Sequence, residues 1–308
     1  MLKLSTWLVR GCSIFAFDLK YSPDRKPNRD SLKLKPLTMP RIIEINEAGD
    51  ERLQCYANLR STVGRPADCD VFVVEGRWCV ERLIENPVTL NSVLVERGKE
   101  AEIASSLPAA IPLYSLPSES IRRLVGFDFH RGVLACGQRP KLHAIDDLEF
   151  KPDAPAVALA VLGVDQQENL GSMIRTAAAM GIEHLLIGPK TADPYSRRAI
   201  RVSMATVFTE QLYQLDQPVA QLSELARTRN IRIIVTTLDR DATALNRFVA
   251  DDRDSILIVG NEAKGVDRSI QAIATDRVTI PMQQGTDSLN VSIAAAIFMY
   301  QLLDRHRG

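Results

Sequence analysis

The sequence predicts an α/β protein: a parallel sheet with helices on both faces, preceded by a smaller α/β unit. Three observations carry this expectation. From residue 156 onward, near-continuous apolar runs alternate with stretches of helical periodicity, the pattern of strands buried on both faces. Between residues 41 and 140 the same alternation recurs in shorter pieces. Finally, 308 residues that are 45% hydrophobic and 25% charged suit a globular chain, which at this size buries roughly 75% of its unfolded surface.

Taken in order, residues 21–40 (YSPDRKPNRDSLKLKPLTMP) hold four prolines and no apolar period. Residues 1–40 are therefore expected as a disordered or basic extension, with the ordered protein beginning near Met39. Arg10 interrupts the apolar start and no small-residue cleavage site follows, so no signal peptide is expected. In the small unit, 51–60, 77–85 and 119–126 have helical patterns, and 71–74, 90–96 and 132–137 read as strands. The polar stretch 138–155, with three prolines, places a linker at 141–155. The large unit, 156–308, has strands at 157–163, 184–188, 231–237, 255–260 and 277–282. Helices are expected near 169–180, 217–229, 266–273 and 288–305. Ligands in such folds sit beyond the carboxyl ends of the strands.

Composition excludes several classes. No apolar run reaches the roughly 18 residues of a membrane span. Five cysteines without C-x-x-C spacing and four scattered histidines suggest neither a disulfide framework nor a metal, and a reduced, cytoplasmic setting is expected. With 38 basic and 38 acidic residues, no broad positive field favours nucleic acid, so any such contact must be local.

Unusual residues gather at three strand ends. The first cluster runs from Glu168 to Gly181, where Asn169 is placed to cap a helix and Gly181 to end it. Capping does not explain Arg175, a cation among Met173, Ile174 and three alanines. The second, Gly260-Asn261-Glu262-Ala263-Lys264-Gly265, follows an apolar strand and matches neither the phosphate-loop nor the dinucleotide glycine pattern. The third runs from Ile280 to Ser292. There Asp287 or Ser288 can cap the last helix, and Asn290 stands before an almost wholly apolar stretch.

Together, Asn169 to Ala177, Gly260 to Gly265 and Ile280 to Ser292 resemble the three signatures of the SpoU branch of SPOUT RNA methyltransferases. The likeness covers about 155–308, and 193–208 also resembles the family's intervening stretch. The chain departs from the family pattern at Gln167, Ala205 and Ala263, where proline, glycine and glycine are commoner. The amino-terminal unit resembles the small ribosomal-protein-like domain that holds RNA in many SpoU proteins.

The resemblance implies a trefoil knot near the carboxyl terminus, an S-adenosylmethionine pocket formed at Gly260, Ile280 and Leu289, and a homodimer built partly on the last helix. It also implies methyl transfer to a ribose 2′-hydroxyl of tRNA or rRNA, without a metal. Arginine holds its proton too tightly to serve as a base, so Arg175 is expected to stabilise developing negative charge. Glu262 would pair with Arg175 or orient the ribose, Ser288 and Asn290 would position substrate or cofactor, and Asn169 would hold the first loop. Among basic residues, Arg197, Arg198 and Arg201 form the expected phosphate contact, with Arg131, Arg139 and Lys141 at the unit boundary. Two alternatives remain open, a non-catalytic RNA-binding relative and a nucleotide-binding oxidoreductase. The missing glycine fingerprint disfavours the latter.

Overall fold

The apolar runs assemble into two sheets. The computed structural model describes residues 40–59, 70–86, 88–130, 132–151, 155–239, 241–283 and 288–305. The expected extension through residue 39, together with Arg131, Gly285 and Asp287, lies outside these residues.

The first sheet is built from β1 (Ile42–Glu44), β2 (Val71–Glu75), β3 (Leu90–Glu96), β4 (Leu113–Leu116) and β5 (Val133–Gln138), in the order β1-β4-β3-β5-β2. Strands β1, β4 and β3 are parallel, and β5 runs antiparallel to both β3 and β2. Helices α1 (Arg77–Ile84) and α2 (Ala101–Ala104) cover one face through Val80, Leu83 and Ile103. On the other face lies α3 (Ser118–Val125), through Ile121 and Leu124. The helix expected at 51–60 is instead a 3-10 turn, Glu51–Tyr56. It stops because Ala57 is extended and Asn58 takes a left-handed φ of 54°.

The second sheet is wholly parallel. Its strands are β6 (His143–Ala144), β7 (Val157–Val161), β8 (His184–Ile187), β9 (Gln211–Gln214), β10 (Arg232–Thr236), β11 (Thr243–Ala244), β12 (Ser255–Val259) and β13 (Asp276–Thr279). Their spatial order is β11-β13-β10-β12-β7-β8-β9-β6. The helices are α4 (Gln167–Met180), α5 (Arg197–Val202), α6 (Pro218–Arg229), α7 (Arg268–Ala272) and α8 (Val291–Arg305). Alternate residues of the central strands feed opposite faces, as the two-residue period requires. Val157, Leu159, Val161 and Leu257 pack under α4 and α8. Ala158, Ala160, Ile256 and Ile258 face Leu222 and Leu225 of α6 and Ile270 of α7.

Short polar elements escaped the sequence reading. Strand β9 presents exposed glutamines at both ends, and α5 has only six residues. Within the expected linker, His143–Ala144 forms an edge strand beside β9, and Ile145 and Leu148 are buried. Strand β13 lies between β10 and β11 and is pinned by Arg232, which donates to Asp276 at 2.5 and 2.9 Å. The same guanidinium donates to the Val249 carbonyl at 3.1 Å and sits 4.8 Å from the Phe248 ring.

One carboxyl group at the start of β9 makes folding pH-dependent. Burial pushes Glu210 up to about 7, above the 4.5 of an unperturbed glutamate. Between those values the folded state holds the proton more tightly than the unfolded chain. This contribution is therefore full below pH 4.5 and is lost as pH rises through 7. Glu210→Gln should match the parent's melting temperature at pH 4.5 and exceed it by a few degrees at pH 8. Equal differences at the two pH values, measured by thermal denaturation, would contradict the assignment.

Candidate active site

All three clusters lie on loops leaving the carboxyl ends of parallel strands: β7 into α4, β12 into α7, and β13 into α8. Side-chain amides join them. Asn169 Nδ2 donates to Glu262 Oε1 at 2.9 Å and to Gln166 Oε1 at 3.2 Å. Asn169 Oδ1 accepts from Asn290 Nδ2 at 3.0 Å. Asn290 Oδ1 accepts from the Ser292 amide at 2.9 Å and the Ser292 hydroxyl at 2.6 Å. The donor direction is fixed at each link, running from the amino end of α8 through Asn290 and Asn169 to the Glu262 carboxylate.

This geometry revises the capping assignments. Helix α4 begins at Gln167 after an extended Gln166, so Asn169 lies within its first turn and turns its amide across to the other loops. Gly181 does end the helix, at φ 80°. Helix α8 begins at Val291, and its cap is Asn290, whose Oδ1 also meets the Ile293 amide at 3.4 Å. Ser288 is exposed and two residues further out, too early to cap.

Asn261 shapes the second loop. Its Oδ1 accepts from the Ala263 and Lys264 amides at 3.0 and 3.1 Å, and its Nδ2 donates to the Gly163 carbonyl at 2.8 Å. Gly260 is needed for closeness, because a Cβ there would lie 2.4 Å from the Gly265 carbonyl. The requirement is internal to the turn.

Arg175 is not part of the amide chain. Six residues beyond Asn169, it leaves α4 on a different face, about 9 Å further along the axis. It is solvent-exposed and makes no hydrogen bond or ion pair among the described residues. Glu262 thus pairs with Asn169 rather than Arg175. The apolar surroundings read from the sequence are the buried face of the helix, and Arg175 projects from the opposite one.

A cavity of about 780 Å³ opens beside the end of β13, lined by Thr279, Ile280, Pro281 and Met282 and, across it, by Leu238 and Arg247. Of the three expected cofactor positions, Ile280 lines this cavity, while Gly260 and Leu289 are not among its lining residues. Leu238 is 61% exposed although apolar, offering a wall for a flat ring. Sequence reasoning missed it because a lone leucine after a strand carries no signal.

The three arginines of α5 all meet carboxylates. Arg197 pairs with the buried Glu75, Arg201 lies 4.0 Å from it, and Arg198 pairs with Glu168. In sequence, Glu75 is marked only as a carboxylate closing the apolar run VFVV.

Comparison with known proteins agrees with this architecture. The SpoU rRNA methylase family profile matches residues 156–300. A Mycobacterium bovis protein named as an uncharacterized tRNA/rRNA methyltransferase is 31% identical over 267 residues, covering 84% of this chain and 91% of that one. The chain belongs to the SpoU methylase family. A second relative, the 23S rRNA (guanosine(2553)-2′-O)-methyltransferase of Bacillus subtilis, is 26% identical and covers 84% of this chain and 98% of its own. Among solved structures, a protein from Porphyromonas gingivalis assigned to the TrmH family of RNA methyltransferases superposes with a TM-score of 0.68 at 25% identity. It covers 83% of this chain and 97% of its own.

The amide chain predicts an ordering of variants at one position. Asn169→Asp keeps the size but sets a carboxylate against Glu262, whereas Asn169→Ala removes the link without repulsion. Asn169→Asp should therefore melt lower than Asn169→Ala at neutral pH. Equal melting temperatures at neutral pH, read by calorimetry, would show that the link carries no electrostatic direction.

Proposed function

We propose that this SpoU protein transfers a methyl group from S-adenosylmethionine to a ribose 2′-hydroxyl of tRNA or rRNA. The observation that carries the reading is the convergence of three sequence-distant signatures on the single hydrogen-bonded chain Glu262–Asn169–Asn290. The Bacillus subtilis relative, whose name states a 2′-O activity on rRNA, supports it.

The cavity beside β13 suits the cofactor. It falls within the roughly 300–1,000 Å³ usual for such ligands, has an apolar wall in Leu238, and offers main-chain polar groups from Thr279 to Met282. The cofactor supplies an electrophilic methyl on a sulfonium. The chain's residues bind and orient. Ile280 frames the cofactor from the cavity wall, and Gly260 and Leu289, outside that lining, stand on the loops that follow β12 and β13. Asn290, fixed by α8 on one side and Asn169 on the other, holds the third loop in register, with Ser288 two residues before it on the same loop. Glu262 keeps its second carboxylate oxygen for the ribose. Arg175, permanently charged, stabilises the oxyanion that develops as the hydroxyl loses its proton.

We also infer the knot, the two-domain division and a homodimer. Strand β13 lies between β10 and β11, segments joined directly by residues 237–242, and the chain then returns to pack α8 against β7 and β12. That path supports a threaded carboxyl end. The separate five-stranded sheet supports an RNA-holding domain at 41–140 ahead of the catalytic domain. Ile293, Ile297 and Tyr300 form an exposed apolar stripe on α8, 40–64% accessible, which a second copy would cover. No described helix is long and apolar enough to cross a membrane, and no metal-binding group occurs among the described residues.

Arg175→Ala should reduce methyl transfer to RNA by about 10²–10³-fold, the usual cost of losing one oxyanion donor, while cofactor affinity by calorimetry stays within twofold. Lost cofactor binding with unchanged turnover would reverse the assignment. Of the α5 arginines, Arg198 is the one best placed for phosphate, since its partner Glu168 is half exposed. Arg198→Glu should lower the slope of log K against log salt for RNA binding by about 1; an unchanged slope would remove it from the interface.

A further inference from the structure

We infer that Glu75 is a positioning residue, which, through the arginines of α5, fixes the five-stranded unit against the helix that carries Asn169 and Arg175. The inference rests on the reading of that unit as the RNA-holding one.

Glu75 closes β2, and its side chain is only 6% exposed. A carboxylate taken so far out of water requires cationic partners. Two come from the other sheet's unit: Arg197 pairs with it directly and Arg201 approaches to 4.0 Å. Arg197 is held from the small unit a second time, 4.5 Å from the Phe127 ring, and donates to the Leu59 carbonyl at 3.4 Å. The small unit also grips α5 at both ends. Before the helix, Arg139 donates to both oxygens of Asp193 at 2.7 and 2.6 Å and lies 5.1 Å from the Tyr195 ring. Beyond it, Arg82 donates to the Met204 carbonyl at 2.7 Å.

Helix α5 has no slack against α4. A Cβ at Gly171 would lie 2.8 Å from the Ala199 carbonyl and 2.8 Å from the Val202 side chain, and Glu168 pairs with Arg198 across the same two helices. Gly171 stands between Asn169 and Arg175 on α4. Any rotation of the small unit about its seam must therefore break charged contacts or move the helix that organises the site. An RNA long enough to touch both units meets two surfaces at a fixed separation, so part of its binding cost is met before it arrives.

The test is Glu75→Gln, which keeps the shape and removes the charge, assayed with a long RNA substrate and with a hairpin too short to reach the small unit. For the long RNA, KM should rise about tenfold while kcat and cofactor affinity stay within twofold. For the hairpin, nothing should change. The radius of gyration from small-angle scattering should increase. Arg197→Gln, which breaks the same pair from the other side, should give the same increase in the scattering radius. If Glu75→Gln does not fold, Asp193→Asn opens the other edge of the seam and carries the same expectations. A fall in kcat at unchanged KM, equal losses on both RNAs, or no change in KM or scattering would overturn the inference. Absence of methyl transfer by the parent protein on any RNA would instead overturn the proposed function, and scattering would still judge the seam.

Discussion

Everything at the candidate site depends on the amide of Asn169 pointing one way. Its nitrogen must face Glu262 and its oxygen must face Asn290, because only that orientation satisfies both neighbours. Asn290 is fixed in turn by the backbone N–H groups at the start of α8, which accept no other orientation of its oxygen. Positive character at the amino end of a helix thus ends, two side chains later, on an anion. Neither a carboxylate nor an aliphatic residue at 169 can take this place. Measured at Asn169, Glu262 and Asn290, the loop following β7 stands 93 residues of sequence from that following β12 and 121 from that following β13, and three polar side chains hold them in register.

The sheet makes that register achievable. Parallel strands deliver three loop starts to one edge at the fixed spacing of neighbouring backbones, and the apolar faces above and below hold those starts still. Arg175 shares the first of these helices without joining the hydrogen-bonded chain. An arginine already saturated by Glu262 would offer less charge to a substrate, so its exposure suits a stabilising role better than the pairing expected from sequence.

Much of this was legible in the sequence, and the failures share a cause. Long apolar strands such as 157–161 and 255–259 announced themselves, because burial on both faces leaves no room for polar residues. The edge strand β6 and its neighbour β9 did not, since β6 carries no buried residue and β9 only two. The family signatures located the site but not its wiring. Asn169 resembled a helix cap because capping and cross-loop bonding call for the same side chain. The carboxylate beside Arg197 could not be read from the local sequence, because Glu75 is 122 residues away. Ala205 illustrates the reverse: its departure from the family's glycine was visible, and the structure explains the preference, since this residue adopts φ 62°.

The placement of β13 has a consequence for how the protein is made. An ordinary sheet can grow outward, each new strand becoming the edge. Here the last strand described is an interior one, and among the described residues β11 has no other neighbour in the sheet. A nascent chain that has completed β10 and β12 carries an open backbone edge at β10, a template for pairing with other chains. Closing that edge waits on contacts between distant parts of the chain, which form slowly. By the same logic, pulling on the carboxyl terminus must draw out an internal strand, so resistance to unravelling from that end is a matter of rate rather than of equilibrium.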